Sequence, residues 1–305
     1  MGEHVAVTGA NGFIGRHLTR FATGLGWEVL GVVRSEVAAA GVRASGARVS
    51  IVDPSDVELL ARAIAGSRAV VHLAQIGAEK DGATFEDVNV GGTRRVVEAA
   101  RIAGVPRVVF SSGLGVAHYG QKRRCTNRYF LSQLAAEAEL LTSDREIAIF
   151  RPSYVLGPRN AFVGRLLDEM AAGLVDQVGD GAYRMQPLAV QDATAALLAA
   201  IEQPTLTSPL VIDLVGPEPL SCARFLDRLG RVARAHGQPA AFQVHETTVE
   251  AADEQAAAGG YRGMHAEELD CLLCDEVADH GPLEALLGRF LTPLDEALAA
   301  AVGRV

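Results

Sequence analysis

The stretch VAVTGANGFIG, running from Val5 to Gly15, sets glycines at positions 9, 12 and 15 between an apolar run and an amphipathic segment. Glycine permits the sharp reversal by which a buried strand hands over to a helix, and its missing Cβ lets the backbone close on a neighbouring group. The amino terminus of the next helix favours negative charge. The stretch therefore predicts a strand–turn–helix entry that cradles a dinucleotide pyrophosphate through Gly9, Asn11, Gly12, Phe13, Ile14 and Gly15.

The chain beyond the turn agrees with it. Apolar runs at 4–8, 28–33, 47–52, 69–73, 107–111 and 147–150 alternate with helix-period segments at 14–24, 36–44, 57–65, 88–103 and 129–142. Strands buried on both faces read as continuous apolar runs, and crossover helices join parallel neighbours. The pattern predicts an α/β fold: a doubly wound parallel sheet of the Rossmann type with right-handed crossovers. After Arg151 the alternation loosens. Helices are expected at 162–172, 192–201, 221–235, 269–274 and 282–302, a strand-like passage up to residue 190, a strand at 210–214, and little regularity over 238–263. Residues 1–155, with sheet additions from about 177–215, are assigned to the dinucleotide-binding domain. Residues 156–176 and 216–305 are assigned to a smaller C-terminal substrate-binding lobe, with 162–177 and 238–263 as its walls.

Composition narrows the partners. A chain of 305 residues with a net charge of -9 lacks the concentrated positive charge of a nucleic-acid groove. No apolar run is long enough to span a bilayer, and no secretory pattern opens the sequence, so a cytoplasmic protein with a small-molecule substrate is expected. Cys125, Cys222, Cys271 and Cys274 are too scattered for a disulfide framework. Cys271 and Cys274 lack the further ligands a zinc ion needs, so no metal is expected and the two read as cysteines one helical turn apart.

The end of the second strand bears on the cofactor. An acidic residue there would bind a ribose 2′-hydroxyl and select NAD. Here Arg34, followed by Ser35, offers a forked guanidinium to a 2′-phosphate. NADP is the expected cofactor, with NAD the alternative. Asp53, after the third strand, falls where an adenine amino group is recognised.

With these residues in view the chain resembles the short-chain dehydrogenase/reductase superfamily, in its extended or atypical, epimerase/dehydratase-like branch. TGANGFIG is similar to the family's cofactor fingerprint, VHLAQ at 71–75 to its fourth strand, and DVNVGGTRRVVEAA, with Asn89, Gly92 and Thr93, to the helix whose asparagine supports the sheet. PRVVFSS at 106–112 resembles the fifth strand, and RPSYVLGP at 151–158 the RPxxVYGP segment beside the nicotinamide. The second half, through GPRNAFVGRLLDEM, MQPLAVQDATAALLAAIE and LLGRFLTPLDEAL, resembles the dinucleotide-binding accessory subunit of respiratory complex I and its soluble bacterial relatives. The resemblance implies cofactor contacts from Leu73, Ala74, Ser111, Tyr129, Pro152 and Val155. It also implies a homodimer through the helices at 88–103 and 129–142.

The same resemblance implies a Ser/Thr, a Tyr and a Lys four residues beyond it. Tyr129, in NRYFLSQLAAE, holds the tyrosine position, but Gln133 stands where the lysine belongs. The serine position falls at Gly113, or one residue earlier at Ser112. A free phenol titrates near ~10, and the missing lysine would have favoured its ionisation. Glutamine hydrogen-bonds but brings no charge. Lys122, Arg123 and Arg124 precede Tyr129 as possible replacement cations, although a solvated basic loop is the plainer reading. Tyr119, followed by Arg123 in a YxxxR spacing, lies in the loop after the fifth strand without the helical context, and His118 beside it could take the acid role, although an exposed loop histidine is the plainer reading. No HExxH, GxSxG or P-loop lysine offers another chemistry. Two functions remain: an NADP(H)-dependent reductase of a small carbonyl, enone or quinone-like compound using Tyr129, Ser112 and Gln133, or a dinucleotide-binding sensor or structural protein without turnover. A nucleotide-sugar epimerase is disfavoured, because it must first abstract a proton.

Overall fold

The computed structural model describes residues 4–122, 124–258 and 260–303. Six strands come first: β1 (His4–Thr8), β2 (Glu28–Val33), β3 (Arg48–Ile51), β4 (Ala69–His72), β5 (Arg107–Ser111) and β6 (Glu146–Pro152). Short β7 (Val155–Leu156), β8 (Leu174–Val178), β9 (Arg184–Met185) and β10 (Leu188–Ala189) precede β11 (Leu210–Leu214), and β12 (Leu220–Ser221) and β13 (Gln243–Thr247) come after it. The central sheet has seven strands in the order β11-β6-β5-β4-β1-β2-β3. Every pairing in it is parallel. The order reverses at β1, which has β4 on one side and β2 on the other, so a crevice opens at the carboxyl ends of these strands.

Period-two alternation buries both faces. Val5 and Val7 face α1 (Phe13–Gly24), α2 (Glu36–Arg43) and α7 (Val190–Glu202), packing with Leu18, Val42 and Leu197. Ala6, between them, faces α3 (Val57–Ile64), α4 (Gly92–Ile102) and α5 (Arg128–Leu141), with Ile64, Val96 and Leu140. A second core joins α6 (Ala161–Ala171), α8 (Cys222–Ala235) and α12 (Leu294–Val302) through Leu166, Phe225 and Leu298. A third joins α9 (Val249–Ala257) and α10 (Ala266–Leu273) around Tyr261 and Leu269.

Four segments depart from the sequence expectation. The segment at 282–302 is two helices, because Gly288 ends α11 (Gly281–Leu287) in the left-handed region at φ 65 and Pro293 precedes α12. Leu283 of α11 packs with the sheet's own core, although it lies within the 216–305 stretch expected in the lobe. The helix expected at 88–103 begins as a π-turn over Glu86–Gly91 before α4. The irregular 238–263 stretch contains β13 and α9, and the passage to residue 190 resolves into β8, β9 and β10. β8 pairs with β13, β9 with β12 and β10 with β7, so their partners lie far along the chain and leave no local signal.

Asp192 ties α7 to the segment between α11 and α12. It is fully buried, and it accepts from Arg289 Nη2 at 2.6 Å and from the Thr292 amide at 2.8 Å. No helix among the described residues is long and apolar enough to cross a membrane.

Candidate functional site

The glycine turn is built for close approach. Gly9 has φ +68, and a Cβ on it would stand 2.7 Å from the Ala74 amide and from the Leu73 carbonyl carbon. A Cβ on Gly15 would collide with the Gly9 carbonyl. Gly12 donates its amide to that carbonyl at 2.9 Å and serves as N-cap of α1, with no side chain capping the helix and no acid in its first turn. The first amides of α1 are thus left for an anion, and the cradle that any Cβ would fill fits a pyrophosphate. Asn11 is exposed at the tip of the turn. Phe13 packs edge-on against His17 at 5.0 Å, and Ile14 reaches a cavity at the end of the sheet.

Arg34 is exposed just beyond β2 and forms no ion pair among the described residues. Its acidic neighbour Glu36 is engaged with Arg43, and Ser35 caps α2 by accepting from the Ala38 amide at 3.3 Å. Asp53 is exposed and accepts from Ser55 through the backbone at 2.9 Å and the hydroxyl at 2.7 Å, which holds its carboxyl below the usual range.

The cavity beyond the glycine turn has a volume of about 310 Å³ and is lined by Ile14, Gln75, Ser111, Ser112, Gly113, Tyr129, Pro152 and Tyr154 on the sheet side. From the lobe come Phe162, Arg165, Met264, Glu268, Cys271, Leu272 and Glu276. Of the residues expected at the reacting centre, Tyr129 and Ser112 meet here with Ile14, Ser111 and Pro152. Leu73 and Ala74 sit against the glycine turn, and Val155 pairs with Leu188 in the short strands. The 162–177 stretch does supply a wall, through Phe162 and Arg165, whereas 238–263 supplies none of the lining; the wall begins at Met264.

Tyr129 is held by its helix. Asn127 caps α5, accepting from the Phe130 amide at 2.9 Å, and the phenol ring packs on Phe130 and Phe85 at 5.3 and 6.0 Å. A Cβ on Gly113 would lie 3.5 Å from the phenol oxygen, so this position faces Tyr129 and offers no hydroxyl to it. Burial pushes the phenol above its ordinary pKa, Cys271 and Glu276 add to this, and the Gln133 side chain opposes it. Gln133 is fully buried behind the cavity and donates Nε2 to Gln75 Oε1 at 2.6 Å. The lysine position therefore carries an amide bridge to the end of β4. Gln133 Oε1 and the hydroxyls of Ser111 and Ser112 are buried without hydrogen-bond partners. Such atoms are costly unless a ligand or water satisfies them.

Two buried anchors fix this geometry. Asn89 accepts from the Ile76 amide at 2.9 Å and donates to the Ile76 carbonyl at 3.1 Å and to Ser132 Oγ at 3.0 Å, tying the β4 loop to α5. Glu137 of α5 takes a forked pair of bonds from Arg151 of β6, at 2.9 and 2.6 Å. His72 stands between Thr8 and Thr93 at 2.7 and 3.1 Å, and burial lowers its pKa to about 4, so it is neutral.

Of the replacement cations, Lys122 and Arg124 do not enter the cavity's lining. Lys122 donates to the Asp275 carbonyl at 3.0 Å, Arg124 pairs with Asp253 and Asp270 at 2.8 Å each, and Arg123 lies outside the described residues. Tyr119 packs beside Cys125 and Cys274. The pair Cys271 and Cys274 ends α10, with Cys274 donating to the Cys271 carbonyl at 3.4 Å. Sequence reasoning did not single out the polar lining residues Gln75, Arg165, Glu268 and Glu276. Gln75 was readable as the departure from VHLAA at the end of β4. Arg165, whose Nε is buried without a partner, and Glu276 carry no motif, because only the fold brings the lobe over Tyr129.

The parallel sheet, the uncapped glycine turn and the tyrosine cavity define an NAD(P)-binding Rossmann protein of the extended type. Residues 5–212 match the model of the NAD dependent epimerase/dehydratase family, and the chain belongs to that family. It is similar to the ceramide reductase of Caulobacter vibrioides, 30% identical over 202 residues that cover 66% of this chain and 62% of that protein. The chain thus spans less than two thirds of that relative. It is also similar to NADH dehydrogenase [ubiquinone] 1 alpha subcomplex subunit 9, mitochondrial, of Arabidopsis thaliana, 26% identical over 70% of this chain and 53% of that one. Among solved structures, MoeE5 in complex with UDP-glucose and NAD shares the fold, with a TM-score of 0.74, 23% identity, and coverage of 98% and 97%.

Proposed function

We propose that this chain is an NADP(H)-dependent reductase of a small carbonyl, enone or quinone-like compound. One observation carries the reading: Tyr129 faces an open cavity of about 310 Å³ bordered by the unpartnered hydroxyls of Ser111 and Ser112, with the unpartnered Gln133 oxygen behind it. When bound, the nicotinamide supplies the hydride. The glycine turn and the α1 amides hold the pyrophosphate, Arg34 pairs with the 2′-phosphate, and Asp53 meets the adenine. Leu73, Ala74, Pro152 and Val155 frame the dinucleotide, and Gln133 Oε1 accepts from a ribose hydroxyl. Tyr129 directs its O–H at the substrate oxygen, supported by Ser112.

A phenol kept protonated by burial can offer its O–H as a hydrogen bond to the oxygen of a carbonyl being reduced but is not available as a phenolate base, so the site favours reduction over oxidation. An epimerase route, which starts by taking a proton from an alcohol, lacks its base here. The reductase named among the relatives supports the same direction. Leu131, Leu134 and Leu141 leave an apolar stripe exposed on α5, which supports pairing of α4 and α5 between two copies.

The test is titration with NADPH and NADH, then a carbonyl and quinone screen of wild type and Tyr129→Phe. Tighter NADPH binding and a turnover loss of about 100-fold or more in the variant are expected. Equal turnover removes Tyr129 from the reaction. Binding without turnover transfers the protein to the non-catalytic reading, and absence of binding ends both.

A further inference from the structure

Three acidic side chains are buried among the described residues: Glu137, Asp192 and Glu276. Arg151 pairs with the first and Arg289 with the second, at 2.6 Å each. Glu276, 7 % exposed, has no ion pair among the described residues, and unlike the other two it lines the cavity that holds Tyr129. A buried carboxylate without a cation is so unfavourable that the group takes up a proton instead.

The groups around Glu276 come from several elements, and from the facing wall Arg165 and Glu268 line the same cavity with no bond to the Glu276 carboxyl among the described residues. From the segment after β6, Ser153 Oγ donates to the Glu276 backbone carbonyl at 3.4 Å, and Tyr154 is a half-buried neutral phenol. From α5 comes the phenol of Tyr129. From α10 and its cap come the thiols of Cys271 and Cys274, the latter 4.0 Å from Glu276 Oε1. From the loop before α5 come Cys125 and Lys122, whose ammonium is bonded to the neighbouring Asp275 carbonyl at 3.0 Å. The backbone of Glu276 is fixed by its amide donating to the Arg184 carbonyl at 3.0 Å. None of these groups gives the carboxylate a direct counter-charge. Burial accordingly raises Glu276 to about 8.

We propose that Glu276 is a further catalytic residue of this cavity, the carboxylic acid whose proton ends on the substrate oxygen during reduction. The proposal rests on the reductase reading and deepens it. Hydride from reduced nicotinamide bonds to the carbonyl carbon, the C=O π pair moves to oxygen, and that oxygen takes the proton from the Glu276 O–H bond, whose electrons stay on the carboxylate. The carbonyl compound is reduced to an alcohol and the nicotinamide is oxidised. Solvent returns the proton to Glu276 through the cavity mouth. Tyr129 holds the oxygen by its hydrogen bond throughout. A carboxyl that titrates near the working pH is better matched to proton delivery than a buried phenol, and it supplies the acid that the missing lysine no longer helps the tyrosine to be.

The experiment is the pH dependence of kcat for carbonyl reduction with NADPH, in wild type, Glu276→Gln and Tyr129→Phe, with NADPH binding as the check that each variant is folded. Wild type should hold a plateau and fall above about pH 8, as the acid is lost. Glu276→Gln should lose roughly 100-fold or more and become flat with pH. Tyr129→Phe should be slow but keep the wild-type fall. A flat wild-type profile, or a Glu276→Gln enzyme with wild-type rate and profile, overturns the role of Glu276 while leaving the reductase in place. A wild-type protein that binds NADPH and turns over no carbonyl overturns both, and is recognised by the absence of any rate to profile.

Discussion

Replacing Glu276 by glutamine makes a prediction about stability that needs no substrate. The folded protein holds this carboxyl at about 8 against an ordinary value of 4.5, because burial removes the solvation of its charged form. A group raised in the folded state binds more protons there than in the unfolded chain. Its contribution is complete below its unfolded value and is lost as pH rises through its folded value. Each unit in that window costs about 1.4 kcal/mol, so wild type should lose roughly 3 kcal/mol from Glu276 alone between about pH 5 and pH 8. Glutamine has the same shape and no such titration. The assay is urea unfolding of both proteins across this range, reading the difference between variant and wild type at each pH. Any constant offset from exchanging acid for amide cancels in the slope. The difference should grow in favour of Glu276→Gln by roughly 3 kcal/mol. Two curves that stay parallel would mean that the carboxylate is solvated or paired in the folded protein, and the reasoning from burial would be refuted.

Other outcomes rest on the same geometry. Arg34→Ala should weaken NADPH about tenfold to a hundredfold, the worth of a lost charge-assisted contact, while NADH titration stays unchanged. Arg151→Met leaves the buried Glu137 carboxylate without its partner, so urea unfolding should show a loss of about 3–5 kcal/mol. Gln133→Lys places a cation beside Tyr129 and breaks the bond to Gln75. Alcohol oxidation with NADP+ should then appear or rise, and an unchanged oxidation rate would argue against the lost-cation account. Leu134→Glu charges the exposed stripe of α5, and analytical ultracentrifugation should show the dimer shifting to monomer.

The expected sheet and its cofactor turn were legible because their signals are local. Val5, Ala6 and Val7 announce a strand buried on both faces, and Gly9, Gly12 and Gly15 announce a turn in which a Cβ would collide with backbone at Gly9 and Gly15. The π-turn before α4 and the break at Gly288 and Pro293 shifted or divided predicted helices without changing the sheet. In the lobe, strands of two to five residues pair across long separations, so β8, β9, β10 and β13 had no pattern to read.

Tyr129 and Gln133 show where the division falls. Their four-residue spacing, and the absence of a lysine, stood in the sequence by itself. That Gln133 is turned to Gln75, that Gly113 faces the phenol, and that Glu276 arrives over the same cavity from beyond α10 are matters of tertiary structure. Periodicity and glycine spacing fix what a backbone can do within a dozen residues. A carboxyl's protonation depends on what surrounds it in space, and for Glu276 those neighbours come from β6, α5 and α10, which only folding brings together.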